Sequence, residues 1–422
     1  MKKRSALVMV PAAVFALMAV SLSPWPRHAQ AQFPTQFGAT RFPAIEIDKS
    51  DHLYLMMSVA TASDRPHSQI FFTMSRDSGQ TWDNFPETKN LSKSKGEAFG
   101  PSVAVNKKGT TRVYVVYHDD SRGINQAYLV HSKKKTKFKA KPANITPHEG
   151  GAFSPRIALD SNEALNVVWG DGKELGLRVV YLRSTDQGET FTEPLVVSGA
   201  STDALDPEVA VDSGDGINVV WQDQDSGVSA IMFARSTDRG ATFSTPKRVS
   251  TGEGRAIEAQ IVADSEDRLN VVWVDESSGS AQAYYSRSTD SGETFSTPIN
   301  VSKAPNADIH KPVAAVFGDT VYVAYQDGDL FGEDGGDRQV FLATSNDSGL
   351  TFDEGRQVSR ADRQCGRAHS PAMVVDSSGT LHIVWIDASV VHPCADEGIL
   401  FYSNTDNGRL FSPQRQILAV IL

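Results

Sequence analysis

Ser288-Thr-Asp-Ser-Gly-Glu-Thr-Phe295 recurs along this chain. Residues 236–243 read STDRGATF, 184–191 STDQGETF, 345–352 SNDSGLTF and 75–82 SRDSGQTW. Residues 404–411 (NTDNGRLF) keep Asp406, Gly408 and the aromatic, and residues 132–138 (SKKKTKF) keep only Ser, Thr and Phe. The pattern S-x-D-x-G-x-T-F/W has the chemistry of a hairpin tip. A short carboxylate accepts hydrogen bonds from N–H groups of its own turn, and Gly supplies positive φ without steric cost. The closing aromatic folds back under the turn and is expected to be buried between neighbouring units.

Upstream of each copy sits a second unit, P-x-φ-A-φ-D with φ apolar. A polar turn follows, then an apolar strand ending in aromatic-x-Asp. Residues 207–212 (PEVAVD), the turn 213–216 and residues 217–221 (INVVW) show it whole, and a third strand then enters the hairpin tip. The same register begins at Pro43, Pro101, Pro155, Pro207, Ala259, Pro312 and Pro371, at intervals of 58, 54, 52, 52, 53 and 59 residues. Each interval holds four short strands bounded by turn residues, and no helical period appears after Gln32. Seven four-stranded antiparallel units of this length predict an all-β, seven-bladed β-propeller over residues 32–422.

The repeated tip resembles the Asp-box, or BNR repeat, of the sialidase superfamily of β-propellers. The resemblance implies that Asp77, Asp186, Asp238, Asp290, Asp347 and Asp406 are turn-formers on the face away from the active site. It also allows a residue-by-residue comparison at the first innermost strand, which in that family carries an F-R-I-P motif whose Arg binds the substrate carboxylate. Here Thr40-Arg-Phe-Pro43 keeps Arg and Pro in register. The resemblance then gives Arg41 the carboxylate and Asp64, on the next loop of that face, the acid/base role. Arg255, Arg338, Arg363 and Arg367, with Glu253, Glu258 and Glu333, are available for the remaining parts. The nucleophilic Tyr of the family has no counterpart in the loops, because every tyrosine falls on a strand pattern.

Within a repeat array the consensus serves stacking, so function is sought where the consensus breaks. Trp169, Trp221, Trp273 and Trp385, with Tyr117 and Tyr325 in the same slot, are expected in the core. Asp119, Asp171, Asp223, Asp275, Asp327 and Asp387, two residues later, are expected to cap loops. Two residues before the innermost strand's Pro the chain has Phe99, Phe153, Leu205 and Ile257, but Arg41, His310 and His369 in units one, six and seven. A closed ring makes these three units neighbours. They also carry the irregular second-to-third strand loops, and Glu333, Arg338 and Arg367, near the same face, join the candidate ligand contacts.

Lys2, Lys3 and Arg4 precede an apolar run over residues 6–22, and Ala29-Gln30-Ala31 offers a cleavage site. Residues 1–31 therefore read as a signal peptide, and the protein as secreted or periplasmic, without a membrane span after cleavage. Removal of residues 1–31 leaves 37 of the 41 basic residues against 51 acidic ones, a net charge of −14. That balance disfavours nucleic acid as a partner. The two cysteines, Cys365 and Cys394, are expected to form a disulfide in the last unit. No metal-ligand spacing occurs among His310, His369 and His392, and the cofactor expectation is none, save a calcium ion on the acidic loop from Asp327 to Asp337. Two functions of different class remain open: a monomeric module binding a glycan or an extracellular protein on the face of units six, seven and one, and an exo-α-sialidase-like glycoside hydrolase using Arg41 and Asp64.

Overall fold

The computed structural model describes residues 40–60, 67–83, 89–106, 108–134, 136–147, 150–172, 176–201, 203–225, 227–304, 307–328, 338–359, 368–387 and 399–417, with Thr40, Arg41 and Ile399 as backbone only. Seven antiparallel sheets follow one another in chain order, each meandering through its own strands. Blade 4 is typical: Ala204–Val211, Ile217–Asp223, Ala230–Ser236 and Lys247–Arg248. The first strands of successive blades run side by side, and that of blade 1 (Thr40–Ile47) meets that of blade 7 (Ala368–Val375). The result is a seven-bladed β-propeller.

The core lies between blades. Alternation along each strand sends every second side chain to one neighbouring blade and the others to the opposite neighbour, so seven apolar clusters form, one per interface. Trp169, Trp221, Trp273, Trp385 and Tyr117 are fully buried in these interfaces and Tyr325 nearly so. Among the described residues no strand is exchanged to close the ring. Blades 7 and 1 are joined by the cluster containing Ile45, Leu55, Val384 and Tyr402, by the Ser377 N–H and Oγ donating to Asp51 at 3.0 and 2.6 Å, and by Tyr402 Oη donating to Ser78 O.

The S-x-D-x-G-x-T-F segments are the turns from third to fourth strands. In blade 5, Asp290 Oδ1 accepts from Thr294 N and Ser288 Oγ, Oδ2 accepts from Thr294 Oγ1 at 2.6 Å, and Ser288 Oγ accepts from Gly292 N. Asp77, Asp186, Asp238 and Asp347 repeat this geometry. In blade 7 the chemistry moves by one residue: Asn407 Oδ1 accepts from Arg409 N, while Asp406 accepts from Thr380 Oγ1 of the neighbouring turn.

The residue before Gly and the Gly itself both have positive φ, 60° at Ser291 and 83° at Gly292, which matches the right-handed twist of a tight hairpin. The Gly is also demanded by the blade before it. A Cβ on Gly292 would lie 2.3 Å from the Phe233 ring of blade 4, and one on Gly240 2.2 Å from Tyr181 of blade 3. The closing aromatic completes the joint: Phe243 meets Tyr181, Phe295 meets Phe233 and Phe352 meets Tyr285 edge-on at about 5 Å, with Trp82 on Tyr402 across the ring closure. Each turn is a clasp between two blades.

Candidate ligand site at the mouth of the channel

The first-to-second strand turns lie on the same face as the clasps, as the hydrogen bond from Ser348 Oγ to Asp319 records. The other face carries the second-to-third strand loops and the start of every innermost strand. There each blade has a β-bulge. The register shifts between Arg41 and Ala44, Phe99 and Ser102, Phe153 and Arg156, Leu205 and Glu208, Ile257 and Gln260, His310 and Val313, and His369 and Ala372. The residue inside each bulge, just before the Pro (Ala259 in blade 5), sits at positive φ: Phe42, Gly100, Ser154, Asp206, Glu258, Lys311 and Ser370, between 45° and 62°. Six of these seven are not glycine, a costly conformation held by the surrounding sheet. The seven bulges ring the mouth of the channel around which the blades are arranged.

Bulges turn side chains out of the strand alternation. Phe42 and Phe153 are 42% and 38% exposed. Phe42 packs on Phe99 with centroids 6.4 Å apart, and Phe153 lies over Gly151 and Gly172, where a Cβ would intrude to 2.8 and 3.1 Å. Blades 1 to 3 thus present an aromatic arc.

Polar groups occupy the next arc. Arg156 Nε donates to Glu208 at 2.5 Å, and Ser154 Oγ donates to Asp206 at 2.6 Å. Burial pushes the Glu208 carboxyl up against the pull of Arg156. Glu258 stays below its usual range in spite of burial, because Lys311 and His310 face it: Lys311 N donates to it at 2.7 Å and Lys311 Nζ lies 2.8 Å away. His310 has Nε2 3.2 Å from Asp308 and Nδ1 3.9 Å from Glu258. His369 Nδ1 lies 3.1 Å from Ser370 Oγ.

His118 is a further member that the sequence reading passed over. It stands opposite Phe99 in the register of blade 2, with its ring edge-on to Phe99 at 3.6 Å. It is only 7% exposed, and neither ring nitrogen has a partner among the described residues. Burial, helped by Arg156, lowers its pKa to about 4. A buried imidazole with two unused nitrogens is binding capacity that the fold does not consume. The only sequence signal was the slot itself, between Tyr117 and Asp119, where other blades have Gly170, Gln222, Val274, Gln326 and Ile386.

The structure brings His310, His369 and the backbone of Arg41 to equivalent positions on three neighbouring blades. Arg338 is buried where blade 6 meets blade 7, its carbonyl accepting from Ala368 N at 2.9 Å. Asp64, Glu333, Arg367, Cys365, Cys394 and His392, with the acidic loop beyond Gly328, lie outside the described residues. Among the described residues no cluster of His, Cys, Asp and Glu is arranged to hold a metal, and no helix is long and apolar enough to cross a membrane. Asp119 and Asp275 each accept from the N–H two residues on at 2.8 Å, the capping expected of them. A groove of about 460 Å³ between blades 3 and 4, lined by Val196, Phe243 and Pro246, lies beside a clasp and has no titratable side chain in its wall. Chemistry concentrates at the mouth instead.

No family model matches the chain, and no curated protein matches it. Among solved structures the chain is similar to a protein of unknown function from Dyadobacter fermentans, 18% identical over 88% of this chain and 95% of that one, with a TM-score of 0.53. It is also similar to an ulvan lyase bound to GlcA(1-4)Rha3S, 12% identical over 87% and 94% of the two chains, with a TM-score of 0.60. A leech intramolecular trans-sialidase aligns at 12% identity over 88% and 68%, with a TM-score of 0.48. At these identities the likeness is one of fold.

Proposed function

We propose that the protein is an exported Asp-box propeller, its first 31 residues a cleaved signal peptide, that binds a glycan at the mouth of its channel. One observation carries this reading. The seven equivalent positions at the start of the innermost strands divide into an apolar arc (Phe99, Phe153, Leu205, Ile257) and a polar arc (His310, His369, Arg41), with Phe153 exposed and Phe42 exposed beside Arg41. A saccharide has the matching character: C–H faces that pack on aromatic rings and a rim of hydroxyl or carboxylate groups that hydrogen-bond. The ulvan lyase likeness is consistent with a carbohydrate-handling fold and supports nothing finer.

The glycosidase reading rests on Arg41, which pairs with Ser58 one residue ahead of the Phe42 bulge. Tyrosine chemistry speaks against its sialidase form. All ten tyrosines lie in strands. Burial raises the pKa of eight of them, Tyr181 to about 12, whereas a nucleophile needs it lowered. The test is a glycan-array screen of the purified mature protein, run beside turnover assays on fluorogenic sialosides and other glycosides. Binding without turnover supports the proposal; turnover that is lost in Arg41→Ala replaces it with the glycosidase.

A further inference from the structure

Blade 2 breaks the charge pattern of the chain. Between Ala98 and Asn144 there are ten Lys and Arg against two Asp and Glu, in a protein with 41 against 51 overall. The excess culminates in residues 132–141, SKKKTKFKAK, with six lysines and no acid. This is where the other blades have their clasp, and three features separate it from them.

The first is geometric. In blades 1, 3, 4, 5 and 6 the third strand ends at the Ser of the turn, as at Ser75, Ser184 and Ser288. In blade 2 it runs two residues past Ser132 to Lys134 and returns through Lys137–Phe138, so the tip is an extended hairpin. The second is chemical. Lys134 takes the place of the turn carboxylate, and it pairs directly with Lys137 in the ladder, a like-charge juxtaposition that disfavours the hairpin. The third is the distribution of counter-ions. Lys139 is paired with Glu189 and Arg112 approaches Glu163, both on blade 3, whereas Lys133, Lys134 and Lys137 are exposed and have no carboxylate partner among the described residues. Phe138 nevertheless keeps its joint, edge-on to Phe72 of blade 1 at 5.0 Å. The clasp's packing is retained while its electrostatics are inverted, and a local rule broken at a stability cost marks a functional site.

We infer that this hairpin is a docking surface for a linear polyanionic polysaccharide, carrying sulfate or carboxylate groups, on the face opposite the channel mouth. Lysines without arginines suit a diffuse row of charges rather than forked recognition of one group. No large apolar side chain is exposed on the hairpin; those of the clasp face are Phe317, Leu350 and Leu410 on blades 6 and 7, so the tip has nothing to insert into a bilayer. It exposes no aromatic on which unpaired bases stack. Lys108 and Lys49, exposed on the adjoining turns of blades 2 and 1, extend the positive surface along one arc.

The proposal is independent of the mouth and is tested on the full mature protein with dextran sulfate, neutral dextran and phosphatidylserine vesicles. The variant is Lys133→Gln/Lys134→Gln/Lys137→Gln; the control is Lys93→Gln/Lys95→Gln/Arg122→Gln, which removes the same charge from the connection between blades 1 and 2 and from the second-to-third strand loop of blade 2. Dextran sulfate should bind and neutral dextran should not. The hairpin variant should weaken binding at least about 30-fold at low salt and flatten the dependence of log K on log salt by roughly 2, for three lost contacts, with a melting temperature equal to or above that of wild type, since the Lys134–Lys137 repulsion is relieved. The control should bind as wild type. Equal losses in both variants would reduce the effect to net charge and overturn the proposal, as would absent dextran sulfate binding. Vesicle binding at least as tight at matched charge would replace the polysaccharide by a lipid surface.

Discussion

Gly292 and Gly279 offer a controlled pair, because both belong to blade 5 and both have positive φ, 83° and 91°. Replacing either by Ala forces a side chain into the left-handed region, at about 1–2 kcal/mol. Only Gly292 faces a neighbour: its Cβ would meet Phe233 Cε1 of blade 4 at 2.3 Å, whereas nothing lies within 4 Å of a Cβ on Gly279. Phe233 is 1% exposed and held in the blade 4–5 cluster, so it cannot swing into solvent, and overpacking adds roughly 1–3 kcal/mol. Gly292→Ala should therefore destabilise by about 2–5 kcal/mol and Gly279→Ala by about 1–2 kcal/mol. Urea titrations read by tryptophan fluorescence give both values, since Trp273 is buried in this interface and Trp221 in the one before it. In a double-mutant cycle, Phe233→Leu should recover about 1 kcal/mol or more of the Gly292→Ala loss. Equal losses at the two glycines, with no coupling to Phe233, would refute the clasp and leave the turn glycine with a backbone role alone.

Asp290→Ala removes three acceptor contacts from an exposed turn and should cost about 1–2 kcal/mol in the same titration. The hydrogen bonds from Thr294 lead in holding the Asp290 pKa at about 2; a lowered folded pKa means that this stability is complete above about pH 4 and lost toward pH 2, so the gap between wild type and variant should close over that range. His118→Leu replaces a buried, unpartnered imidazole and should raise stability at pH 7 by roughly 1 kcal/mol. Because folded His118 stays neutral down to about pH 4 while the unfolded chain takes up a proton near 6.5, wild type should weaken on acidification between those values, and the variant should lack that contribution; parallel pH profiles would contradict the assignment. For Cys365 and Cys394, titration of the native protein should find no free thiol, and reduction should cost roughly 3 kcal/mol.

The repeat made the fold legible. Seven recurrences at near-equal spacing left little choice of architecture, and the buried Trp169, Trp221, Trp273 and Trp385 are what a residue common to several blades should be. The adjacency of His310, His369 and Arg41 was legible too, since it needs only a closed ring and a count. The bulges were not. A Pro after Phe42, Ser154, Asp206, Lys311 and Ser370 signals an extended residue rather than positive φ, and the conformation depends on cross-strand pairing that the local sequence does not encode. The second demand on the turn glycines was hidden for the same reason: the ring that crowds Gly292 belongs to a strand about sixty residues away. His118 escaped notice because its significance lies in missing partners, which only the folded neighbourhood reveals. The lysine hairpin was visible as a degenerate repeat, but net charge averaged away its sign.

The glycan proposed here is held by the mouth, while the turn carboxylates of the opposite face serve the fold, and one titration tests that division most directly. The best ligand from the glycan array is titrated calorimetrically into wild type, Phe153→Ala, His369→Phe and Asp290→Ala. Phe153→Ala and His369→Phe should each weaken binding about tenfold or more, with folding cooperativity retained, while Asp290→Ala binds as wild type despite its lower stability. Binding that survives both mouth variants and fails in Asp290→Ala would place the site on the opposite face and contradict the account.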